Sequence, residues 1–324
     1  MKAIVHDVYG PPDVMRLEEI DRPEPGPGEV LVRVRAAGVD PGVWHLMAGM
    51  PYAIRAAGFG LRAPKDRVRG LDVAGEVAAV GPGVTRFRTG DEVYGNAEGS
   101  FAEYARAKEG RLAPKPANLS FEEAAAVPVS GCTALKAVRD GGPLGAGRSV
   151  LVLGASGGVG SFAVQLAKNL GAHVTGVCSA GKADLVRSLG ADEAVDYARA
   201  DPTDGSRRHD LVLDAAGNRS LTALRRSLTA DGTLVIIGGE GGGRWIGGND
   251  RQLRAMLLSP FLRQRLRALA ATVHHRDLLI LTELIEAGSL RPAVDRTYPL
   301  AEVPDAVRHL REGRARGKLV VGVA

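Results

Sequence analysis

A glycine-rich segment in the middle of the chain constrains the fold more than any other feature. Residues Gly154 to Gly160 read Gly-Ala-Ser-Gly-Gly-Val-Gly and follow the apolar run Val150–Leu153. An amphipathic pattern from Val159 to Leu170 comes next, so the predicted order is strand, turn and helix. Aligned on Ala155, the segment matches Ala-x-Gly-x-x-Gly. This pattern carries glycine where backbone approaches a pyrophosphate and where a helix packs closely against a strand.

The segment therefore predicts a dinucleotide-binding turn. The backbone N–H groups at the start of the helix would face the phosphates, and the helix dipole favours negative charge there. Gly157 would lie against the pyrophosphate, and Gly160 would allow close packing of the helix. The residues expected to bind the cofactor in this turn are Ala155, Ser156, Gly157, Gly158, Val159 and Gly160.

The residues around the turn alternate between strand and helix patterns. Ser120 and Glu123 match a capping box at the start of an Ala-rich helix. Further strands are expected at His173–Cys178, Leu211–Asp214, Leu234–Ile237 and Ala270–Val273. Continuous apolar strands separated by helices are typical of a parallel sheet covered on both faces. We predict a doubly wound α/β, Rossmann-type domain over residues 118–290.

Both ends of the chain show a different, β-rich pattern. Short β-branched runs such as Val30–Arg35 and Val73–Val80 are separated by Gly/Pro turns. The tail returns to this style, with strands at Val294–Tyr298 and Lys318–Val323 around a helix from Pro304 to Glu312. Residues 1–117 and 291–324 are therefore predicted to form one β-rich domain, into which the α/β domain is inserted.

The end of the second α/β strand bears on the choice between NAD and NADP. An acid there would bind the ribose 2′-hydroxyl of NAD. The strand instead ends Val177-Cys178-Ser179-Ala180-Gly181-Lys182, without an acid. Ser179 can donate a hydrogen bond to a 2′-phosphate, and Lys182 can supply a positive charge. We predict NADPH rather than NADH; the alternative is a helix-capping Ser179 and a surface Lys182.

The composition argues against other partners. The net charge of +5 is spread along the chain among acids, and few aromatic residues accompany its basic groups, so no nucleic-acid partner is expected. The sequence has no apolar run long enough for a transmembrane helix, and its N-terminus is charged too early for a secretory signal. A cytoplasmic protein without a membrane partner is expected.

Short motifs recur along nearly the whole chain. They are Met1–Ile4, Pro27–Val32, Ala36–Val39, Gly70–Val77, Gly90–Gly95, Gly99–Tyr104, Gly131–Ala134, the glycine-rich turn, Leu189–Asp192 and Arg316–Lys318. Together they resemble the medium-chain dehydrogenase/reductase superfamily, in particular its zinc-free quinone-oxidoreductase-like branch. The resemblance implies a GroES-like β-rich substrate domain beside the Rossmann domain. It also implies a homodimer formed through the edge of the nucleotide-domain sheet.

Departures from the zinc-dependent relatives predict that no metal is bound. Those relatives carry a cysteine where this chain has Asp40, and a histidine where Gly70-Leu71-Asp72 has leucine. Residues 96–112 contain no cysteine for a structural zinc. A catalytic zinc needs three protein ligands, which this chain does not supply. Asp72 is interpreted as a structural turn residue and Asp40 as facing the site; a carboxylate pair is the alternative.

The resemblance also implies roles for residues outside the turn. Asp40 replaces the asparagine that zinc-free relatives commonly place near the nicotinamide, and Thr133 would lie against that ring. His45 is a candidate proton donor in the stretch that lines the substrate mouth, together with Tyr52. The remaining cofactor candidates are Tyr197 near the adenosine phosphate, Gly238 and Gly239 under the nicotinamide, Asn218 and Lys318. The alternatives are a packing role for Tyr197, a helix cap for Thr133 and a surface position for His45.

These features predict an enzyme that transfers hydride from NADPH to a small electrophilic acceptor. Without zinc to polarise a carbonyl, the expected acceptors are quinones and α,β-unsaturated carbonyls, which are already easy to reduce. Two alternatives remain open. One is a metal-free NAD(P)-dependent alcohol dehydrogenase, and the other is a catalytically silent nucleotide-binding or structural member of the fold.

Overall fold

The computed structural model describes residues 1–239 and 243–323. The chain divides into two compact units: Met1–Cys132 together with the segment from Thr272 onward, and Thr133–Ala271. The predicted domain limits at residues 117 and 290 stay a prediction. No helix in the described ranges has the length and apolar character needed to cross a membrane.

The secondary structure has the predicted arrangement, with β-rich segments at both ends of the chain and alternating strands and helices between them. The strands of the first unit are β1 (Lys2–Val5), β2 (Arg16–Glu19), β3 (Glu29–Val39), β4 (Asp72–Val80), β5 (Glu92–Asn96), β6 (Tyr104–Lys108), β7 (Leu112–Pro114), β14 (Val294–Pro299) and β15 (Lys318–Gly322). Those of the second unit are β8 (Ser149–Leu153), β9 (His173–Cys178), β10 (Glu193–Asp196), β11 (His209–Asp214), β12 (Leu228–Ile236) and β13 (Arg265–Ala268). The helices are α1 (Pro41–Ala48), α2 (Phe121–Ala125), α3 (Pro128–Asp140), α4 (Gly158–Asn169), α5 (Ala183–Ser188), α6 (Leu221–Arg226), α7 (Asn249–Leu258), α8 (His275–Glu286) and α9 (Val303–Arg311).

The first unit is built on a seven-stranded, mostly antiparallel sheet. Its order is β14-β15-β3-β4-β5-β7, with β6 also pairing with β3. Strand β15, from the end of the chain, pairs with β3 through Leu319 opposite Val39. Alternate residues of these strands, including Val32, Val73 and Val321, enter one core. The two ends of the chain therefore complete one β-rich unit, as the pattern predicted.

The second unit contains six parallel strands in the order β10-β9-β8-β11-β12-β13. Buried residues such as Leu151, Val212 and Leu234 form its core. The chain runs outward from β8 through β9 to β10 and then restarts at β11, so the connections reverse between β8 and β11. Ligands of doubly wound sheets bind at the carboxyl ends of the strands beside such a reversal. The predicted Rossmann-type fold is confirmed.

Two local predictions had different outcomes: the helix start at Ser120 was predicted correctly, and the last parallel strand was not. Ser120 and Glu123 form the predicted capping box, with both reciprocal hydrogen bonds present. The strand expected at Ala270–Val273 is wrong, because the sixth strand is Arg265–Ala268. Its alternating arginines gave it a polar appearance, and it lies at the end of the sheet, where only one neighbour pairs with it.

Candidate functional site

The glycine-rich turn lies between the end of β8 and the start of α4. Gly154 adopts a φ of 80°, which favours glycine because a Cβ would be strained there. The backbone N–H groups of Gly154 and Ala155 both donate to the carbonyl of Val177, at 3.1 and 3.0 Å. The turn is thereby fastened to β9, and Ser156 is buried within it.

Gly157 and Gly160 have opposite surroundings. A Cβ on Gly160 would lie 2.1 Å from the carbonyl oxygen of Gly154, so helix α4 can approach the turn only with glycine there. A Cβ on Gly157 would meet only that same oxygen, at 3.4 Å. Gly157 is the N-cap of α4 and offers no side-chain cap, and Gly158 and Val159 are the first helical residues. The N-terminus of α4 therefore suits a phosphate group.

The residues predicted to choose the cofactor lie at the carboxyl ends of β9 and β10. Ser179 follows Cys178 and takes the N-cap position of the one-turn helix Ala180–Lys182, but its hydroxyl makes no capping hydrogen bond. Cys178 is paired with Asp196 across the strands, and the N–H of Tyr197 donates to the Cys178 carbonyl at 3.2 Å. The Tyr197 ring is exposed rather than packed in the core. Ser179 and Tyr197 thus share one sheet edge.

A buried ion pair organises the carboxyl ends of β11 and β12. Arg251, on α7, donates to Asp214 Oδ2 at 2.9 Å and to the carbonyl of Gly238 at 3.0 Å. Asp214 Oδ1 accepts the N–H of Gly217 at 3.0 Å. Burial raises the pKa of Asp214 above its ordinary value, although the charge of Arg251 works in the opposite direction. The pair anchors the segment of Gly238 and the loop that precedes exposed Asn218.

This pair was not predicted from the sequence, because 37 residues separate its members and no local motif joins them. Gly238 itself is tightly enclosed, since a Cβ there would lie 2.7 Å from the carbonyl oxygen of Ala215. Gly239 follows it directly in the chain. Thr133 is buried inside α3 rather than at its end, so the helix-cap interpretation of Thr133 is wrong.

The predicted residue Asp40 belongs to a buried charge cluster in the first unit. Lys318 Nζ is hydrogen-bonded to Asp40 Oδ1, lies 2.8 Å from Asp72 Oδ2 and lies 3.4 Å from Ser130 Oγ. The Asp72 carboxylate also accepts the N–H of Val129 at 2.9 Å. Lys318 is 3% exposed, and the side chains of Asp40 and Asp72 are also buried. We call Asp40, Asp72 and Lys318 the lysine cluster.

Several expectations change at this cluster. Asp72 is not a turn residue; it is the first residue of β4. The carboxylate pair left open by the sequence is present, and Lys318 joins its members. In the structure the ammonium group of Lys318 contacts both carboxylates. The cofactor-binding role predicted for Lys318 stays a prediction. Ser130 carried no signal in the sequence beyond its place before the Gly131–Ala134 motif.

The charges of the lysine cluster favour a retained proton. Burial raises the pKa of Asp72 well above its ordinary value, and the neighbouring Asp40 adds to the effect. Burial alone would lower the pKa of Lys318, but Asp40 and Asp72 together raise it above its ordinary value. Asp40 Oδ2 is buried and has no hydrogen-bond partner among the described residues. Asp72 therefore holds a proton more readily than an exposed aspartate, and the Lys318 ammonium beside it is stabilised by both carboxyl groups.

The other two catalytic candidates lie on and just after α1. His45 is half-buried on that helix, and its Nδ1 lies 3.1 Å from the carbonyl oxygen of Met50. The guanidinium of Arg55 lies over the ring of Tyr52, 4.8 Å from its centre. Both side chains keep a polar group that can donate a proton, which leaves their predicted role open.

Comparison with known proteins identifies the family. Residues 26–117 match the alcohol dehydrogenase GroES-like domain, and residues 189–321 match the family described as zinc-binding dehydrogenase. The chain is 31% identical to a chloroplast envelope quinone oxidoreductase homolog of Arabidopsis thaliana, over 99% of this chain and 98% of that protein. The chain belongs to the quinone-oxidoreductase-like branch of the medium-chain dehydrogenase/reductase superfamily.

Further members of this superfamily also match over nearly all of this chain. An NADPH-dependent alkenal/one oxidoreductase of Arabidopsis thaliana is 35% identical over 99% of this chain and 79% of that protein. The solved quinone oxidoreductase of Coxiella burnetii is 28% identical, with a TM-score of 0.87 over 100% of this chain and 99% of that chain. The predicted GroES-like and Rossmann domains are confirmed, and the chain is an oxidoreductase.

The zinc-binding description of one matched family contrasts with the residues present here. By the family resemblance, Asp40 and Leu71 take the places of a cysteine and a histidine of zinc-dependent members, and Asp40 is hydrogen-bonded to Lys318. Within residues 1–239 and 243–323, no group of three or more His, Cys, Asp and Glu side chains is arranged to hold a metal.

Proposed function

We propose that this oxidoreductase uses NADPH, without zinc, to reduce quinones or α,β-unsaturated carbonyls. The lysine cluster is the observation that carries the proposal. Where zinc-dependent relatives place a metal ligand, Asp40 is tied to a buried ammonium group. The ammonium donors of Lys318 are directed to Asp40, Asp72 and Ser130, so Lys318 is not placed to polarise the oxygen of an alcohol or a simple ketone as a metal ion would. Acceptors with low-lying π systems need no such activation.

The nucleotide turn and the sheet edge support NADPH as the cofactor. The uncapped N-terminus of α4 would hold the pyrophosphate, with Gly157 leaving room for it. Ser179 and Lys182 would bind the 2′-phosphate, since neither Ser179 nor its neighbours at the end of β9 is an acid. When bound, NADPH supplies the hydride. By family resemblance, Thr133, Gly238 and Gly239 would line its nicotinamide.

The reduced acceptor also needs a proton, and this chain offers groups that can hold one. The pKa of Asp72 is raised well above its ordinary value by burial and by Asp40, so this carboxyl group holds a proton more readily than an exposed aspartate does. We propose that Asp40 passes this proton toward the site and that solvent restores it. His45 and Tyr52 are the alternative donors.

Cofactor choice is tested by Lys182→Ala. We expect KM for NADPH to rise about tenfold or more, because one charge-assisted contact to the 2′-phosphate is lost. KM for NADH should change less than twofold. Arg187→Ala is the matched control, since Arg187 lies on the next helix and is paired with Asp184 at 3.1 Å. Equal losses for NADPH and NADH would contradict a 2′-phosphate role for Lys182.

The reaction class is tested by NADPH oxidation with quinones, enones, ketones and alcohols. We expect turnover with quinones or enones and none with simple ketones. Alcohol oxidation alone would favour the metal-free dehydrogenase, and tight NADPH binding without turnover would favour a silent binding protein. Zinc analysis is independent of turnover, and one tightly retained zinc per chain would contradict a zinc-free mechanism.

We also propose a homodimer formed at the β13 edge of the parallel sheet. Strand β13 ends the order of the described sheet, so one side of its backbone is unpaired there. Beside it, α7 and the following one-turn helix expose large apolar side chains, namely Leu253, Met256, Leu257 and Phe261. A second copy would cover this surface and continue the sheet. The cytoplasmic location and the absence of a nucleic-acid partner stay predictions.

A further inference from the structure

A cavity of about 720 Å³ lies within the first unit. Its size falls in the range of small-molecule sites. Apolar side chains of α1 and the segment that follows it, among them Val43, Leu46 and Phe59, form part of its lining. The lining also contains five basic and three acidic side chains, so it combines apolar surface with an excess of positive charge.

Arg69 is the unusual member of this lining. The residue is 5% exposed, and no acidic side chain is hydrogen-bonded to its guanidinium among the described residues. Its Nε instead donates to Nε2 of His6 at 2.8 Å. Burial, helped by the charge of Arg69, lowers the pKa of His6 to about 4, so the imidazole is neutral and accepts this bond. Arg69 Nη2 is buried and has no partner in the described part of the chain.

A buried, unpaired guanidinium is costly, because its charge has lost water without gaining an anion. Arginine stays charged in proteins, so deprotonation does not relieve this cost. An anionic ligand group would satisfy both the charge and the free donor. The Arg69 guanidinium therefore supplies both the charge and the hydrogen-bond donor of a binding site for an anion.

Two further cations of the cavity are available and two are not. One of the latter is Arg106, whose guanidinium lies 3.8 Å from the Glu29 carboxylate. Lys65 and Arg111 line the cavity and form no ion pair within residues 1–239 and 243–323. Arg67 also lines it, but Asp7 holds its guanidinium at 2.5 Å and Glu18 holds it at 3.1 Å. The acids that face the same space are Asp21, Asp66 and Glu98. Of these, Asp66 acts on Arg69 only through its charge.

We propose that this cavity binds a small organic anion with an apolar body and one carboxylate-type or sulfonate-type group. Arg69 holds the anionic group, and Lys65 and Arg111 add attraction at the cavity wall. The apolar body lies against Val43, Leu46 and Phe59. This inference does not depend on the reductase activity, because binding to the cavity can be measured without turnover.

The test compares two fluorescent probes that share one ring system. 1-Anilinonaphthalene-8-sulfonate carries a sulfonate, whereas N-phenyl-1-naphthylamine lacks it. Saturating NADP⁺ is added so that neither probe occupies the nucleotide site. We expect the sulfonate probe to bind at least about tenfold more tightly than the neutral probe, and added NaCl to weaken only the sulfonate probe.

The variant Arg69→Met removes the unpaired charge and keeps an apolar side chain of similar length. We expect it to weaken the sulfonate probe about tenfold or more and to change the neutral probe less than twofold. Arg67→Gln is the matched control, since it removes the same charge from the same lining but from a side chain already paired. Its effect on the sulfonate probe should be threefold or less.

Replacing the buried Arg69 could impair folding, so a second variant tests the cavity without changing Arg69. The double variant Lys65→Gln/Arg111→Gln leaves the Arg69–His6 contact intact, and it should weaken the sulfonate probe about threefold and reduce its salt dependence. Equal affinity of the two probes for the wild-type protein would overturn the proposal. A folded Arg69→Met protein that keeps full affinity for the sulfonate probe would overturn it as well.

Discussion

At the scale of single residues, Gly157 and Gly160 make a matched pair within one turn. Gly160→Ala places a methyl group 2.1 Å from a backbone oxygen, so we expect a loss of about 2–3 kcal/mol of stability. Gly157→Ala meets its nearest atom at 3.4 Å and should change stability by less than about 0.5 kcal/mol. If the proposed pyrophosphate site is correct, Gly157→Ala should nevertheless weaken NADPH binding about tenfold, because the added methyl group would take up room at the N-terminus of α4.

Urea denaturation and NADPH titration of the two variants separate these effects. The proposal requires that Gly160→Ala lose mainly stability and Gly157→Ala mainly affinity. Unchanged NADPH affinity in Gly157→Ala would contradict the assignment of the pyrophosphate to this turn.

The lowered pKa of His6 should make the free energy of unfolding depend on pH in the acid range. Its pKa is lowered from 6.5 to about 4 by burial and by Arg69, so between these values the unfolded chain takes up a proton that the folded chain refuses. The contribution of neutral His6 is therefore complete above pH 6.5 and is lost as the pH falls toward 4. We expect His6→Gln to remove about 1–2 kcal/mol of the pH dependence in this window, after allowance for solvent screening.

The measurement is the free energy of unfolding in urea at several pH values from 4 to 7. His173→Gln is the control, because it makes the same substitution at an exposed histidine. The prediction fails if wild type and His6→Gln lose stability in parallel as the pH falls.

Residue-level chemistry was predictable where it depends on near neighbours in the sequence. The roles of Gly157 and Gly160 follow from a short motif, because strand, turn and helix are consecutive. The contact of Arg69 with His6 spans 63 residues, and neither side chain stands out locally. The sequence shows only scattered basic residues here, since the burial that makes Arg69 unusual arises from packing of distant strands.

At the scale of elements, Arg251 connects α7 to the ends of β11 and β12. Arg251→Met leaves the Asp214 carboxylate buried without its partner, so we expect a loss of about 3 kcal/mol at neutral pH. The loss should shrink in acid, because the pKa of Asp214 is already raised by burial and the carboxyl group can take up a proton. KM for NADPH should also rise, since the Gly238 carbonyl loses its donor.

Urea denaturation of the single variants and of Asp214→Asn/Arg251→Met gives the coupling energy of the pair. Arg254→Met is the control on the same helix, because Arg254 is exposed and lies 3.7 Å from Asp250. A coupling energy near zero would show that the pair does not stabilise these strand ends.

Strands whose residues are mostly buried were predicted more accurately than strands whose residues are partly exposed. Strand β9 was predicted to the residue at His173–Cys178, because five of its six residues are buried. Strand β13 was misplaced, since two of its four residues are arginines and only one neighbour pairs with it. Local periodicity reports how a segment is buried, and an edge strand is buried least.

At the scale of the whole molecule, the first unit is completed by residues from opposite ends of the chain. Lys318 reaches Asp40 across 278 residues and Asp72 across 246. The sequence predicted that both ends belong to one β-rich domain, but the pairing of β15 with β3 decides which side chains meet. Asp40 was therefore identified as a candidate without the cation that determines its chemistry.

The proposed homodimer would form through the exposed apolar surface of α7 and the one-turn helix that follows it. Leu257 and Phe261 are 73% and 85% exposed, and burying such side chains against a second copy would stabilise a dimer. Leu257→Asp/Phe261→Asp should convert the dimer to a monomer in light scattering after size exclusion, because charges would be buried without partners. Leu61→Asp is the control, since Leu61 is 72% exposed in the other unit and should leave the dimer intact. A wild-type protein that is monomeric at micromolar concentration, or a double variant that stays dimeric, would rule out this surface as the interface.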